Sequence, residues 1–294
     1  MQKFIKYSIS IFVLTIALMY ICDFLYTQAY LKSNPRNKLQ YILKTKRQNF
    51  DIAFLGSSRV ANHVNTKIFD SLSTKKTINL GVEGAGLNDN LLQLKLLIAN
   101  NTISNIFLQI DFNFESIQPS NISTSEAMPF INNSIIKEHL KKEFKNFKKL
   151  NYIPFYRYAI NDPKIGFREL IFSVLNKKPR TNPSIGFTPK FGNRISLTKG
   201  DKLPEVIKEN NIILEEIINI CEKNKIQLTL FVSPFCSKTK NLNYIEKLSL
   251  KIPNLINLSK NYNDSLFYNC GHLNNKGAKI FTTNLFNATR NKVK

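Results

Sequence analysis

The chain has 294 residues, enough for one sizeable domain or two small ones, and its hydrophobic fraction of 43% is that of a folded protein rather than a disordered one. Lys and Arg outnumber Asp and Glu by 42 to 20, for a formal net charge of +22. The lysines are scattered, as in "HLKKEFKNFKKL" and "KTKRQNF", with no compact arginine–aromatic pattern, which argues against nucleic acid and for a basic surface facing an anionic membrane or surface polymer.

After Lys6, "YSISIFVLTIALMYIC" runs uncharged from Tyr7 to Cys22; Asp23 interrupts and "FLYTQAYL" extends the apolar stretch. A bilayer-spanning helix needs about 20 apolar residues. The stretch lacks a small-x-small cleavage site, and "MYIC" is a poor lipobox, so residues 1–30 read as an uncleaved anchor rather than a removed signal. Residues 31–48 form a basic connector. Lys32, Arg36, Lys38, Lys44 and Lys46 follow the span, against Lys3 and Lys6 before it. That bias alone places the C-terminal side in the cytoplasm, but long domains translocate largely regardless of charge, so these residues leave orientation open.

Beyond the connector, hydrophobic runs alternate with helical patterns. "FDIAFLG" predicts a buried strand, "SRVANHVNTKIFDSL" a helix and "KTINLGV" a second strand. "NDNLLQLKLLIAN" has helical spacing with Asn88 or Asp89 as N-cap, and "NIFLQID" is a third strand. From Glu115 to Asp201 the rhythm breaks into an insertion rich in Asn, Pro, Lys and aromatics, with one predicted helix around Ile135 to Phe147. In it, "NDPKIGFREL" and "KPRTNPSIGFTPKFGNR" read as loops, and His139, amid lysines, as a surface residue. "LPEVIKENNIILEEIINICEKNKI" predicts a long amphipathic helix with Cys221 on its apolar face, "QLTLFVSPF" a fourth strand, "SLFYN" a fifth, and "NNKGAKIFTTNLFNATR" a closing helix. Such alternation predicts βαβ units and a mainly parallel sheet covered on both faces. The four cysteines show no metal-ligand spacing; Cys236 and Cys270 each lie just past a predicted strand, where a disulfide is conceivable.

In parallel α/β sheets the ligand site lies at the carboxyl ends of the strands, which directs attention to "GSSR", "GVEGAG", "DFNFE", "SPFC" and "NCGH". In "LGSSRV", Ser58 is either a helix N-cap or a nucleophile at a helix N-terminus, where backbone N–H groups favour a developing oxyanion. The glycines of "NLGVEGAG" permit close backbone approach. Asn113, just past the third strand, offers an amide or closes a turn. His272 sits after a strand and before a helix, on the same edge.

These residues resemble the SGNH (GDSL-like) hydrolases. Their Gly-Asp-Ser motif corresponds to Gly56-Ser57-Ser58, their oxyanion glycine to Gly84, and their Gly-x-Asn-Asp to Asp111-Phe112-Asn113-Phe114. Their Asp-x-x-His corresponds to Asn269-Cys270-Gly271-His272, continued by a similar "HLNNKGA" run. The resemblance implies a three-layer α/β fold with a mainly parallel, SGNH/flavodoxin-like sheet over residues 49–294, carrying the insertion at about 115–201. It implies Ser58, His272 and Asn269 as the catalytic set, and Ser58, Gly84 and Asn113 as the oxyanion site. Ser57, Arg59, His63 and Asp111 would line the site, with Asp111 or Asp264 as substitutes for the missing triad carboxylate. With the anchor, the pattern is similar to the SGNH-like proteins of surface-polymer acylation. The expectation is therefore an extracytoplasmic O-acyl esterase or acyltransferase without metal or organic cofactor. Its partners would be an acylated surface polysaccharide or related glycan, the membrane, and a membrane-bound acyl donor protein. The rival expectation is a silent SGNH-like domain that binds glycan or scaffolds an acylation complex, because Asn269 carries no charge to stabilise an imidazolium and threatens the wrong tautomer.

Overall fold

The computed structural model of the protein describes residues 1–165 and 167–292, with the side chains of 162–165 outside the description. In chain order the elements begin with α1 (Gln2–Lys32), α2 (Lys38–Lys44), β1 (Asn49–Leu55), α3 (Ser58–His63), α4 (Thr66–Ser73), β2 (Thr77–Asn79), α5 (Leu87–Asn100) and β3 (Thr102–Gln109). Next come α6 (Asn121–Ala127), α7 (Ser134–Glu143), α8 (Phe147–Tyr152), α9 (Tyr156–Ile165) and α10 (Phe167–Val174). The chain continues through α11 (Ile212–Lys223), β4 (Gln227–Val232), α12 (Asn243–Lys251), β5 (Ile256–Asn257), β6 (Phe267–Asn269), β7 (His272–Leu273) and α13 (Asn275–Thr289). Among the described residues these elements form two compact units, one of residues 1–36 with 121–165 and 167–178, the other of residues 37–120 with 179–292.

The first unit is helical. Its α1 has 31 residues and a mean hydropathy of 2.1 over its most apolar window, none of which is buried, consistent with a signal anchor or signal sequence. At 1.5 Å per residue such a helix is about 46 Å long, well beyond a hydrocarbon core of about 30 Å. The surplus is at its C-terminal end, which is built into the unit. Asp23 accepts from Phe155 N at 2.8 Å and pairs with Arg157 at 2.6 Å, while Thr27 and Tyr158 share a hydroxyl hydrogen bond of 2.7 Å. Tyr26 meets the Phe155 ring edge to face and the Tyr158 ring at a tilt, and Tyr30 is buried. The predicted loop "NDPKIGFREL" is instead the end of α9 and the start of α10, with Gly166 outside the described residues. His139 is buried on the inner face of α7, not exposed as its lysine neighbours suggested.

The second unit is built on a five-stranded, all-parallel sheet of order β2-β1-β3-β4-β5. The β1 residues Ile52, Ala53, Phe54 and Leu55 are all fully buried, the continuous apolar run expected of a strand covered on both faces. On one side α5 packs beside α2 and α11; elsewhere α13 packs on α3 and α4. Phe54 and Phe69 from the first βα unit, Phe107 from β3, Phe231 from β4 and Phe281 from α13 form one core. Full burial of each ring contributes about 1.5–3 kcal/mol.

Four boundaries differ from the sequence expectation, each for a local reason. The first predicted helix is two, because Val64 turns extended and the Asn65 N–H donates to Thr282 Oγ1 at 3.0 Å. The N-cap of α5 is Gly86, whose N–H donates to Asp89 at 2.8 Å, so Asp89 acts from the third helical position. The long predicted helix starts only at Ile212, where Asn211 accepts from the N–H groups of Ile213 and Leu214. Finally, "SLFYN" does not join the main sheet: β6 pairs antiparallel with β7, and the fifth strand is β5.

Candidate active site

An order of 2-1-3-4-5 reverses direction between β1 and β3, and a doubly wound sheet opens its binding crevice at that switch point. Ser58 is the first residue after the β1 turn to enter a helix, and Asp111 follows β3. The helix cap falls to Ser57, whose Oγ accepts from Arg59 N at 3.2 Å. Ser58 is therefore released from capping. Its Oγ lies 2.9 Å from His272 Nε2, across 214 residues of sequence.

His272 is held from its other side. Its Nδ1 lies 2.9 Å from Asn269 Oδ1, and the same oxygen accepts from Gly271 N at 3.2 Å. A backbone N–H can only donate, so the atom facing it is the amide oxygen. That oxygen must also accept from His272, which places the imidazole proton on Nδ1 and leaves the Nε2 lone pair toward Ser58. Asn269 thus selects the tautomer a general base needs, and the feared wrong tautomer does not arise. Burial, with the nearby Lys190 and Arg59 cations adding to it, pulls the His272 pKa down to about 4, so the ring is neutral near pH 7.

The turn carrying this pair is braced from three directions. A Cys236–Cys270 disulfide, Cα–Cα 5.2 Å, ties the loop after β4 to the residue between Asn269 and His272. Asn274 caps α13 through Gly277 N at 3.0 Å and donates to Ser265 O at 2.7 Å. His63 is fully buried and accepts from Leu273 N through Nε2 at 2.9 Å, with its ring centroid 6.4 Å from that of His272. It therefore supports the turn from behind rather than lining the site. Burial, then the Arg59 and His272 charges, holds its pKa well below the ordinary histidine value.

The two carboxylates expected as triad substitutes are occupied elsewhere. Asp264 accepts from Ser237 N at 3.0 Å and Ser237 Oγ at 2.5 Å. Asp111 is buried, accepts from Asn113 N at 3.1 Å and from Gln109, and lies 3.6 Å from Arg59 Nε. Burial raises the Asp111 pKa while Arg59 opposes the rise. Arg59 is buried too: it donates to the carbonyls of Ser233, at 2.9 Å, and Pro234, and its guanidinium lies 3.7 Å from the Phe235 ring centroid. Arg59 and Asp111 therefore link the segments that follow β1, β3 and β4 beside the Ser58 turn.

Asn113, expected at the oxyanion site, is engaged in the turn after β3. Its Nδ2 donates to Gln109 O at 3.1 Å and its Oδ1 accepts from Asp111 N at 2.9 Å, closing the turn after β3. Gly84 occupies an exposed turn at φ +69° with open space where a side chain would begin. Gln109, which belongs to no motif in the sequence, accepts from both Ser57 N at 2.9 Å and Ser57 Oγ at 2.8 Å. A Cβ on Gly56 would fall 2.8 Å from that Gln109 side chain and 2.4 Å from Val60, so the turn needs glycine there.

No protein-family model matches the chain, and neither does any curated protein. Among solved structures, it is similar to one described as a "putative platelet activating factor" from Streptococcus pneumonia, at 11% identity and TM-score 0.40, covering 98% of this chain and 99% of that one.

The site also includes a segment invisible to motif reasoning. Residues 179–198 pass beside it: Thr188 N donates to Ala61 O at 2.8 Å and Asn275 N donates to Lys190 O at 2.7 Å. The strap is thereby fastened to both the Ser58 helix and the start of α13. Only its position in the fold, not its composition, gives Lys190 its electrostatic influence on His272.

Proposed function

We propose that the protein is a serine-dependent O-acyl esterase or acyltransferase of the SGNH type, anchored in the cytoplasmic membrane and acting outside it on an acylated surface glycan. The supporting observation is the unbroken chain Ser58 Oγ–His272 Nε2–Asn269 Oδ1, at 2.9 Å for each link, with the tautomer set for base catalysis. Ser58 Oγ attacks the acyl carbonyl as His272 Nε2 takes its proton. The tetrahedral oxyanion is met by the N–H groups of Ser58 and Gly84. In the esterase direction collapse expels the sugar alkoxide, which takes the proton back from His272. The acyl-serine is then attacked by water that His272 deprotonates, freeing the carboxylic acid as Ser58 Oγ takes its proton back. In the transferase direction the leaving group is that of a membrane-bound acyl donor. A sugar hydroxyl deprotonated by His272 then attacks the acyl-serine, leaving as the ester while Ser58 Oγ is reprotonated.

Two observations support the location. The end of α1 is part of the packing of its unit, which favours a retained anchor over a removed signal. A buried disulfide bracing the site suits an oxidising compartment.

A second reading is a non-catalytic glycan-binding domain, favoured by the neutral amide at Asn269, which gives an imidazolium no counter-charge. Full-length protein in detergent, offered p-nitrophenyl acetate and then acetylated polysaccharide, separates the two. The esterase reading expects turnover and an acylated Ser58 by mass spectrometry, both lost in Ser58→Ala and His272→Ala. Equal, background-level release by all three proteins on both substrates would leave the binding reading.

A further inference from the structure

The helix α10 turns its apolar stripe outward. Phe167, Ile171, Val174 and the following Leu175 recur at helical spacing on one face, and they are 59%, 42%, 62% and 69% exposed. The buried side of the same helix is marked by Ser173. A soluble helix normally shows the reverse arrangement, with the apolar stripe inward. The stripe also begins where α1 leaves off: the Phe167 ring lies 6.5 Å from that of Tyr26, and α1 packs along α10. On α1 the exposed apolar surface runs past Asp23 to Phe24 and Leu25, 61% and 59% exposed. The polarity of Asp23 is neutralised there by Arg157, whose side chain is only 8% exposed. Cations edge the α10 stripe: the Arg168 side chain is 76% exposed, and Lys177 and Lys178 are exposed at its end.

We propose that α10 lies in the membrane interface beside α1, with Phe167, Ile171, Val174 and Leu175 seated among acyl chains and the flanking Arg168, Lys177 and Lys178 against anionic headgroups. An outward apolar stripe with basic flanks is the pattern of an interfacial helix, and its continuity with the surface of α1 identifies the bilayer as its occupant. The inference rests on α1 spanning the membrane and is independent of the chemistry at Ser58. It gives the helical unit two attachments to the membrane, a span and a second apolar contact beside the end of that span.

The chain has no tryptophan, so one introduced residue is a sole reporter. Full-length Ile171→Trp and, one turn on, Val174→Trp would be reconstituted in phosphatidylcholine–phosphatidylglycerol vesicles with and without brominated acyl chains, beside Leu14→Trp as the reporter for α1. The expected result is blue-shifted emission quenched by the brominated lipid at all three positions. Quenching of Trp at 14 alone, with water-like emission at 171 and 174, would overturn the proposal and leave the anchor standing. Blue-shifted emission at 171 and 174 without quenching would overturn it in favour of a protein occupant, either a second copy or another chain. No quenching at any position would remove the anchor reading as well, while the Ser58 assays would still stand or fall separately.

Discussion

The amide of Asn269 fixes the His272 tautomer and withholds a charge from it. In the absence of a carboxylate, burial dominates and the imidazole pKa falls to about 4. Asn269→Asp would supply the missing anion in the same place. An opposite charge at contact distance raises an imidazole pKa by about 1–3 units. The acid limb of kcat/KM, set by neutral His272, should move up by that amount, and turnover at neutral pH should rise about tenfold or more as the developing imidazolium gains a partner. Unchanged pH–rate profiles in the two proteins would contradict this account of the site. The same depressed values make the fold acid-sensitive. His272 and His63 both have folded pKa values below their unfolded ones, so stability present at neutral pH is lost as pH falls below about 6.5 and the unfolded histidines take up protons first. Urea midpoints should drop between neutral pH and about pH 4, and His63→Gln, whose carbonyl can accept the Leu273 N–H, should drop less. The proximity of Ser58, Asn269 and His272 was legible in the sequence because each lies at the end of a stretch of strand-forming composition or close beyond it, with recognisable neighbours. Gln109 was not, since a polar residue at the end of a strand has no signature until Ser57 is seen against it. Asn113 was ambiguous because a turn-closing Asn and an oxyanion donor look identical in one dimension, and its bonds across the turn are visible only in the fold.

At the scale of elements, the β6–β7 hairpin decides whether the site exists. Its two strands hold three and two residues, too few to be stable on their own, yet they carry Asn269 and His272. The Cys236–Cys270 disulfide joins this hairpin to the end of β4 with a sequence separation of 34 residues. Closing a loop of that size in the unfolded chain is worth about 3–4 kcal/mol in the chain-entropy model. Cys236→Ser with Cys270→Ser should lower unfolding free energy by about 2–4 kcal/mol and reduce kcat more than it raises KM, because the loss falls on the His272 turn rather than on substrate contacts. Chemical denaturation and steady-state kinetics on the double variant test both parts; intact kcat would show that the hairpin holds its geometry unaided. The parallel sheet itself was readable from alternating apolar runs and helical spacing. The small strands were not: β5 is two residues long, and "SLFYN" has the same β-forming composition whether it joins a sheet or folds into a hairpin.

At the scale of the molecule, charge and topology pull against each other. The positive-inside rule applied to the residues flanking α1 would keep the C-terminal side in the cytoplasm, because five of the basic residues between Lys32 and Lys46 follow the span. Several of these are not free charges. Arg36 is bound to Glu169 at 2.9 Å, Lys38 is buried in the second unit, and burial lowers the Lys44 pKa. Once folded, the connector presents a weaker cationic flank than its composition suggests, although insertion is decided before that folding is complete. The disulfide adds an independent requirement, since cytosolic thiols are held reduced. Export is therefore the expected orientation. Alkaline phosphatase fused after residue 294 should be active, and Cys236 and Cys270 should resist alkylation in protein taken directly from cells until a reductant is added. A cytoplasmic C-terminus, seen as an inactive phosphatase fusion with both thiols freely alkylated, would place the second unit inside the cell and remove the surface glycan from consideration.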